Sequence, residues 1–319
     1  MDALSKIFDD IHLAKSEYVY LQLNATQGFQ YIHEPSMLAY VVISGEVQLQ
    51  MPNKQYKLLQ QGDLILLTSG ISHQILSYSN TQLNTPPNIF SLNQIFDEHT
   101  TTLSESFSHI RLHSADAVVL SIRSKLDAHM ARPLLNALPD TLHIEHITAE
   151  TAPEWLRIGL QFLANETRMY QPGRDKILDH LVSILFIECV RDHIVKISDA
   201  DNWLNALSHP ELSNALGAIH ASPEYAWTVE SLAERCCMSR SKFALLFNQV
   251  VGETPLAYLQ QHRLRLAAQY LRDTALNVQQ IAHLVGYSSE TAFSQSFKKQ
   301  FQHTPTQYRF LQNKINFKE

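Results

Sequence analysis

Three cysteines in 319 residues, with no Cys-x-x-Cys pair among them, are too few for a disulfide framework. That excludes a secreted scaffold stapled by bridges and offers no ligand set for a structural zinc. Long apolar runs are missing too. The longest stretch of that kind, LVSILFIECV at 181–190, stands between Asp179-His180 and Arg191-Asp192 and is about half the length that crosses a bilayer. The opening residues, MDALSKIFDDIHLAKSEY, hold no basic region followed by an apolar stretch, so no signal peptide is expected and the chain reads as cytoplasmic, without a membrane partner. Positive charge is scarce as well. The 25 Lys+Arg against 31 Asp+Glu leave a net charge of −6, which over the whole chain argues against a nucleic-acid partner.

The distribution of charge reverses that argument. Residues 1–199 hold 14 Lys+Arg and 22 Asp+Glu, a balance of −8, while residues 228–310 hold 9 and 5, a balance of +4. An acidic front joined to a modestly basic tail is the pattern of a chain in which one region touches an anion and the other does not.

What the chain does have is length, 45% hydrophobic residues, and a hydrophobic period that changes along the sequence. This is enough for two ordinary domains with a core each. From about Tyr18 to Ile110 the segments YVYLQL, AYVVI, VQLQM and LILLT alternate or cluster apolar residues between Gly, Pro and Asn punctuation. They predict an antiparallel barrel or jelly roll, with AVVLSIR at 117–123 and TLHIEHI at 141–147 as further strands and 79–109 as a long loop. The period then becomes helical in APEWLRIGLQFLANETRM and in DKILDHLVSILFIECVRDHI. The second of these is apolar over more than one face, which fits either a partner subunit or burial within one chain. The expected class is α+β multidomain, with a β-rich domain at 1–150, a helical segment at 151–207 and an all-α domain at 208–319.

Within that last domain one unit occurs twice. LAERCCMSRSKFALLF from Leu232 is echoed by IAHLVGYSSETAFSQSF from Ile281, and each copy is followed by a Thr-Pro pair, Thr254-Pro255 and Thr304-Pro305. The step is 49 residues at the start and 50 at the Pro, so the second copy has one more residue in its central turn. A small-residue pair, a tight turn, and a second helix with Phe243 and Phe247, or Phe293 and Phe297, on one face make a helix-turn-helix, whose second helix enters the DNA major groove. Gly286 sits where a positive φ is convenient, and Cys237 holds the matching place, a departure that costs little where φ is negative. Two units on one rigid body can place two helices in successive major grooves, about 34 Å apart.

The segments MSRSKFALLFNQVVGETPLAYLQQHRLRLAAQYL and IAHLVGYSSETAFSQSFKKQFQHTPTQYR resemble the AraC/XylS family of bacterial transcription regulators over residues 208–312. The resemblance implies DNA contacts at Ser239, Arg240, Ser241, Lys242, Ala244 and Leu245 on one helix, and at Ser289, Glu290, Thr291, Ser294, Gln295 and Lys298 on the other. Arg and Lys would hold phosphates or guanine edges, Gln295 adenine, Glu290 cytosine, and Ala or Leu a thymine methyl. Family members commonly carry Arg or Lys where this chain has Leu245 and Gln295, so less guanine-directed reading and a weaker phosphate grip are expected.

The front half is similar to the cupin-type sensor domain of one branch of that family. GDLILLTSGISHQILS fits the cupin motif with Thr68 in the Pro place and His73 at its end. Catalytic cupins add a His-x-His pair and a Glu. Here His33 has Glu34 beside it but no His-x-His pair, and Leu38 occupies the Glu place, so no metal and no cofactor are expected. His33 and His73 remain as effector-binding candidates. HIEH at 143–146 does not converge on one strand face and reads as surface, and Cys236-Cys237 as small apolar filler. The resemblance implies a non-enzymatic, sequence-specific regulator, by family tendency an activator. Its partners would be double-stranded promoter DNA, a small-molecule effector, a second copy of the chain through the 154–195 helices, and RNA polymerase if it activates. The alternative is a metal-dependent cupin enzyme with an appended DNA-binding domain.

Overall fold

The computed structural model describes residues 3–11, 14–78, 86–99, 116–125, 127–145, 154, 158–159, 162, 172–197, 203–209 and 211–316. They group into a sheet unit, Leu13–Leu126 with Leu138–Val195, and a helical unit, Met1–His12 with Asp127–Ala137 and Lys196–Glu319. The chain therefore passes between the two units four times.

In the sheet unit, β1 (Ala14–Leu23), β3 (Ser36–Ser44), β6 (Leu64–Leu67), β9 (Ala117–Lys125) and β10 (Thr141–Ile144) form one sheet in the order β1-β9-β3-β6-β10. The second sheet runs β5 (Tyr56–Leu59), β4 (Val47–Gln50), β7 (His73–Ser77), β2 (Gln27–Tyr31), β8 (Asn88–Ser91). Alternation sets which side chains face inward: Leu38, Tyr40 and Val42 of β3, Ile65 and Leu67 of β6, and Val47 and Leu49 of β4 meet in one core. The 79–109 stretch differs from the expected loop, since β8 and α2 (Leu92–His99) lie within it. Leu92 and Phe96, one helical turn apart, bury fully in the sheet core and supply the reason.

Two large polar side chains inside this unit, His73 and Arg123, are fully engaged. His73 is 4% exposed, its Nε2 lies 2.6 Å from the Tyr40 hydroxyl, its Nδ1–H donates to the Ile71 carbonyl at 2.6 Å, and its ring stacks on Tyr31. Arg123, 1% exposed, donates to Glu17 and Asp97, both at 2.6 Å, and to Glu34 at 3.3 Å. His143 differs from its expected surface position. Its Nε2 is 3.1 Å from buried Asp63, while His146 lies outside the described residues.

Helix α4 (Arg174–Lys196) follows, with Leu178, Val182, Phe186 and Val190 buried. Most of the helix expected at 152–169 lies outside the described residues. Among the described residues no helix is long and apolar enough to cross a membrane.

The helical unit contains α1 (Ala3–Ile11), α3 (Ala128–Ala137), α5 (Trp203–Ser208), α6 (Ser213–Ala221), α7 (Val229–Arg235), α8 (Arg240–Val251), α9 (Pro255–Asp273), α10 (Val278–Leu284), α11 (Glu290–Phe301) and α12 (Pro305–Asn316). Two of these come from far away in sequence. Asp127 Oδ1 accepts the His129 and Met130 amides and so caps α3, while its Oδ2 takes a 2.6 Å bond from Arg272 of α9. Met130 then enters the core with Leu264, Ala268, Ile281, Phe293 and Phe297.

Burial pushes the His73 imidazole down to about 4. An unfolded His titrates near 6.5, so between those values the unfolded chain holds a proton that the folded unit does not. Stability accordingly falls as pH drops through that window, by about 3 kcal/mol for this one group. Urea unfolding of the full chain at pH 7 and pH 4.5 checks this: His73→Gln should show a markedly smaller acid loss than wild type, and equal losses would contradict it.

Candidate nucleic-acid interface

The two repeated units are built from the same local devices at the same positions. Thr228 and Asn277 begin α7 and α10 with capping boxes, each side chain accepting an amide three residues on, from Ser231 and from Gln280, whose own side chains accept the capping residue's amide. The buried pairs Leu232-Ala233 and Ile281-Ala282 let the second helix pack closely. Both first helices end in the same closed turn. The Met238 amide returns to the Ala233 carbonyl at 3.0 Å and the Tyr287 amide to the Ala282 carbonyl at 2.8 Å, with Cys237 and Gly286 between them bonding back to Glu234 and His283.

That turn requires a left-handed residue, and both copies have one. Gly286 has φ 83° and Cys237 has φ 54°. The expectation of an inexpensive Cys at negative φ is thus corrected: the thiol-bearing residue is held in the region that disfavours any Cβ. Cys237 is also exposed, whereas Cys236 is buried.

Ser239 and Ser289 start the second helices, their hydroxyls accepting the Lys242 and Ala292 amides, each at 3.4 Å. Phe243 and Phe247 are fully buried with ring centroids 5.6 Å apart, and Phe293 and Phe297 repeat that spacing at 5.6 Å. Gly252 and Gln302, both left-handed, close α8 and α11. Thr254 and Thr304 then cap the next helices ahead of Pro255 and Pro305.

Anchoring one face by two phenylalanines fixes the other outward. Arg240, Ser241, Lys242, Glu290, Thr291, Gln295 and Lys298 are exposed, as are the capping Ser239 and Ser289, while Ala244 and Ser294 are half-buried. Leu245 is 72% exposed, an apolar side chain held in solvent on a polar face. Arg240 pairs with Glu230 at 2.9 Å and Lys242 with Glu211 at 3.2 Å, so the first unit's cations are partly neutralised from within. All twelve positions expected from the sequence therefore lie on two helices of one unit. His33 and His73 lie apart from them, in the sheet unit. His33 is exposed, its Nδ1 3.0 Å from the Gly70 carbonyl, and His73 has both ring nitrogens engaged. With Leu38 fully buried in the sheet core at the place of a ligand Glu, these side chains do not fit a cupin metal centre.

Rigidity between the two units comes from residues the sequence reading passed over. Arg263, midway along α9, donates to the Pro223 carbonyl at 2.6 Å and the Tyr225 carbonyl at 2.8 Å, just before the first unit. A Cβ at Gly286, in the turn of the second unit, would stand 2.7 Å from that guanidinium and 2.8 Å from the Glu224 Cα. The second turn thus packs on the lead-in to the first. Arg309 of α12 closes the other end, donating to the Leu271 carbonyl at 3.0 Å and the Leu276 carbonyl at 2.5 Å. Neither the Asp127 cap of α3 nor the long-range partners of Arg263 were read from the sequence.

A family model described as a helix-turn-helix domain matches residues 232–310, and one described as a cupin matches residues 2–195. The chain is 53% identical to the HTH-type transcriptional regulator AlkR of Acinetobacter baylyi, over 97% of this chain and 99% of that one. It is 31% identical to the RCS-specific HTH-type transcriptional activator RclR of Escherichia coli, over 97% of each. A solved AraC-type DNA-binding regulator from Chromobacterium violaceum is 31% identical, over 34% of this chain and 96% of that one, with a TM-score of 0.32.

The paired turns give opposite expectations for two substitutions. Cys237→Gly should stabilise the helical unit by about 1 kcal/mol by relieving the left-handed Cβ. Gly286→Ala should destabilise it by more than that, because the added Cβ also meets Arg263 and Glu224. Chemical denaturation of both variants checks this, and a loss of stability in Cys237→Gly would contradict it.

Proposed function

The chain belongs to the AraC/XylS family of helix-turn-helix transcription regulators, and from that membership we propose how it reads DNA and what switches it. Helices α8 and α11 enter successive major grooves on one face of promoter DNA. Arg240, Lys242 and Lys298 hold phosphates or guanine edges, Gln295 reads adenine, Glu290 reads cytosine, and Ala244 and Leu245 lie against thymine methyls. Ser239 and Ser289 bring the helix N-termini to phosphates, Ser241, Thr291 and Ser294 adding hydroxyls. The observation that carries this is the matched construction of the two units around a single helix, α9, with every expected contact position on their outward helices.

The sheet unit is the sensor. A cavity of about 750 Å³ lined by Leu49, Met51, Tyr56, Ile71 and Thr141, among others, is the size of a small-molecule site and supports an effector there. Ile71 also bonds His73, which gives the candidate histidine an indirect part in that site. The effector acts by favouring one arrangement of the units over another, since equal affinity for both would shift nothing.

Self-association is supported by α4, where Ile177, Ile184 and Val195 are 45%, 52% and 80% exposed. Steps of seven and eighteen residues place all three on one stripe. The protein acts in the cytoplasm as a dimer and as an activator meets RNA polymerase at the promoter.

Two variants separate the contact types. Gln295→Ala should cost about 1–3 kcal/mol at one base pair and relax specificity there, whereas Lys298→Ala should weaken binding to all sequences alike and reduce the salt slope by about 1. Titrations against specific and scrambled duplexes at several salt concentrations check both; loss of base preference in Lys298→Ala alone would reverse the assignments. Ile184→Glu should shift the full chain from dimer to monomer in sedimentation, and an unchanged mass would remove α4 from the interface.

A further inference from the structure

Asp10 near the end of α1, His220 on α6 and His262 on α9 bring a carboxylate and two imidazoles together inside the helical unit. One donor atom from each lies within 4.8 Å of the other two. Asp10 Oδ2 is 2.7 Å from His220 Nδ1 and 3.8 Å from His262 Nε2, and the two rings are 4.1 Å apart between centroids. The other nitrogen of His220 is bonded to the Tyr258 hydroxyl at 2.8 Å. His262 is 0% exposed, and neither of its ring nitrogens has a hydrogen-bond partner. A buried polar atom left unbonded costs about 1–3 kcal/mol, so this ring, set beside a carboxylate it does not bond, is built for something more than packing.

We propose that Asp10, His220 and His262 form a site for one divalent transition-metal ion, Zn²⁺ fitting best, that fastens α1 to the helix carrying both DNA-reading units. Two imidazoles and one carboxylate suit zinc and its first-row neighbours rather than calcium or magnesium, which take oxygen ligands. Tetrahedral zinc at ordinary ligand distances sets its donors about 3.3 Å apart. The distances of 2.7 and 3.8 Å from the carboxylate lie on either side of that, and all three donors lie within 4.8 Å of one another, so small side-chain shifts would draw them onto one ion, with water in the fourth position.

On coordination the neutral His220 imidazole changes tautomer, its proton passing from Nδ1 to Nε2 with none released, and Nε2–H then donates to the Tyr258 oxygen, the outer bond that orients a ligating imidazole. Arg265 and Arg263 are the cations that face the pair, and Glu253 is the carboxylate beside Arg265. They moderate the affinity relative to an all-anionic cage. Because Asp10 precedes the sheet unit in sequence and His262 lies between the two reading units, the ion would tie the start of the chain to the DNA-binding body. The site is independent of how bases are read.

The test uses the full-length protein free of any histidine tag. After equilibration with Zn²⁺ and dialysis, wild type should retain one equivalent by elemental analysis, and with Co²⁺ give the visible absorption of a tetrahedral site. Asp10→Asn, near-isosteric and still able to accept from His220, and His262→Gln should each bind at least tenfold more weakly, with folding verified in chelator by circular dichroism. Retention of one equivalent at unchanged affinity by either folded variant overturns the proposal. Should both variants fail to fold, the wild-type stoichiometry and cobalt spectrum decide, and a wild type that holds no ion or only a featureless octahedral cobalt spectrum overturns it.

Discussion

A B-form duplex turns the same face of its major groove outward once in about 34 Å, and a single chain that reads two successive turns has to hold two helices at that separation. Helix α9 has 19 residues and is about 28 Å long. It joins the two helix-turn-helix units, buries Tyr258, Leu259, Leu264, Ala267, Ala268 and Leu271, and carries Arg263. That guanidinium is bonded to the backbone ahead of the first unit and packed under the turn of the second. A flexible tether between two such units would leave the second groove to chance. Here the spacing is a property of one packed body, and the matched caps, turns and phenylalanine pairs make both ends of it alike.

The same body is not made from the tail of the sequence alone. α1 precedes the sheet unit and α3 lies between β9 and β10, yet both belong to the helical unit. Asp127 illustrates how: one carboxylate oxygen caps α3 while the other is bonded to Arg272 of α9. The chain accordingly joins the two units covalently at four places.

Much of this was legible beforehand because it is local. The 49- and 50-residue steps, the Phe pairs four apart, the Thr-Pro starts and the alternation in AYVVI and LILLT each follow from one or two turns of helix or a few residues of strand. Other features were not legible because they depend on contacts distant in sequence. Nothing in PNIFSLNQIF marks β8 and α2 until Leu92 and Phe96 find the sheet core, and nothing near His143 reveals Asp63 eighty residues earlier. The backbone at Cys237 is the instructive case. A cysteine gave no sign of a left-handed φ, although its alignment with Gly286 did, because the turn's hydrogen bonds dictate the conformation whichever residue occupies it.

The central claim is that one chain reads two grooves as a rigid pair. Hydroxyl-radical footprinting of the full-length protein on duplexes selected from genomic fragments tests it most directly. Two protected patches per chain on one face of the duplex, one helical turn apart within about 20 base pairs, are the predicted result. A single patch of about half that length, unchanged when the outward residues of α11 are replaced by alanine, would contradict it.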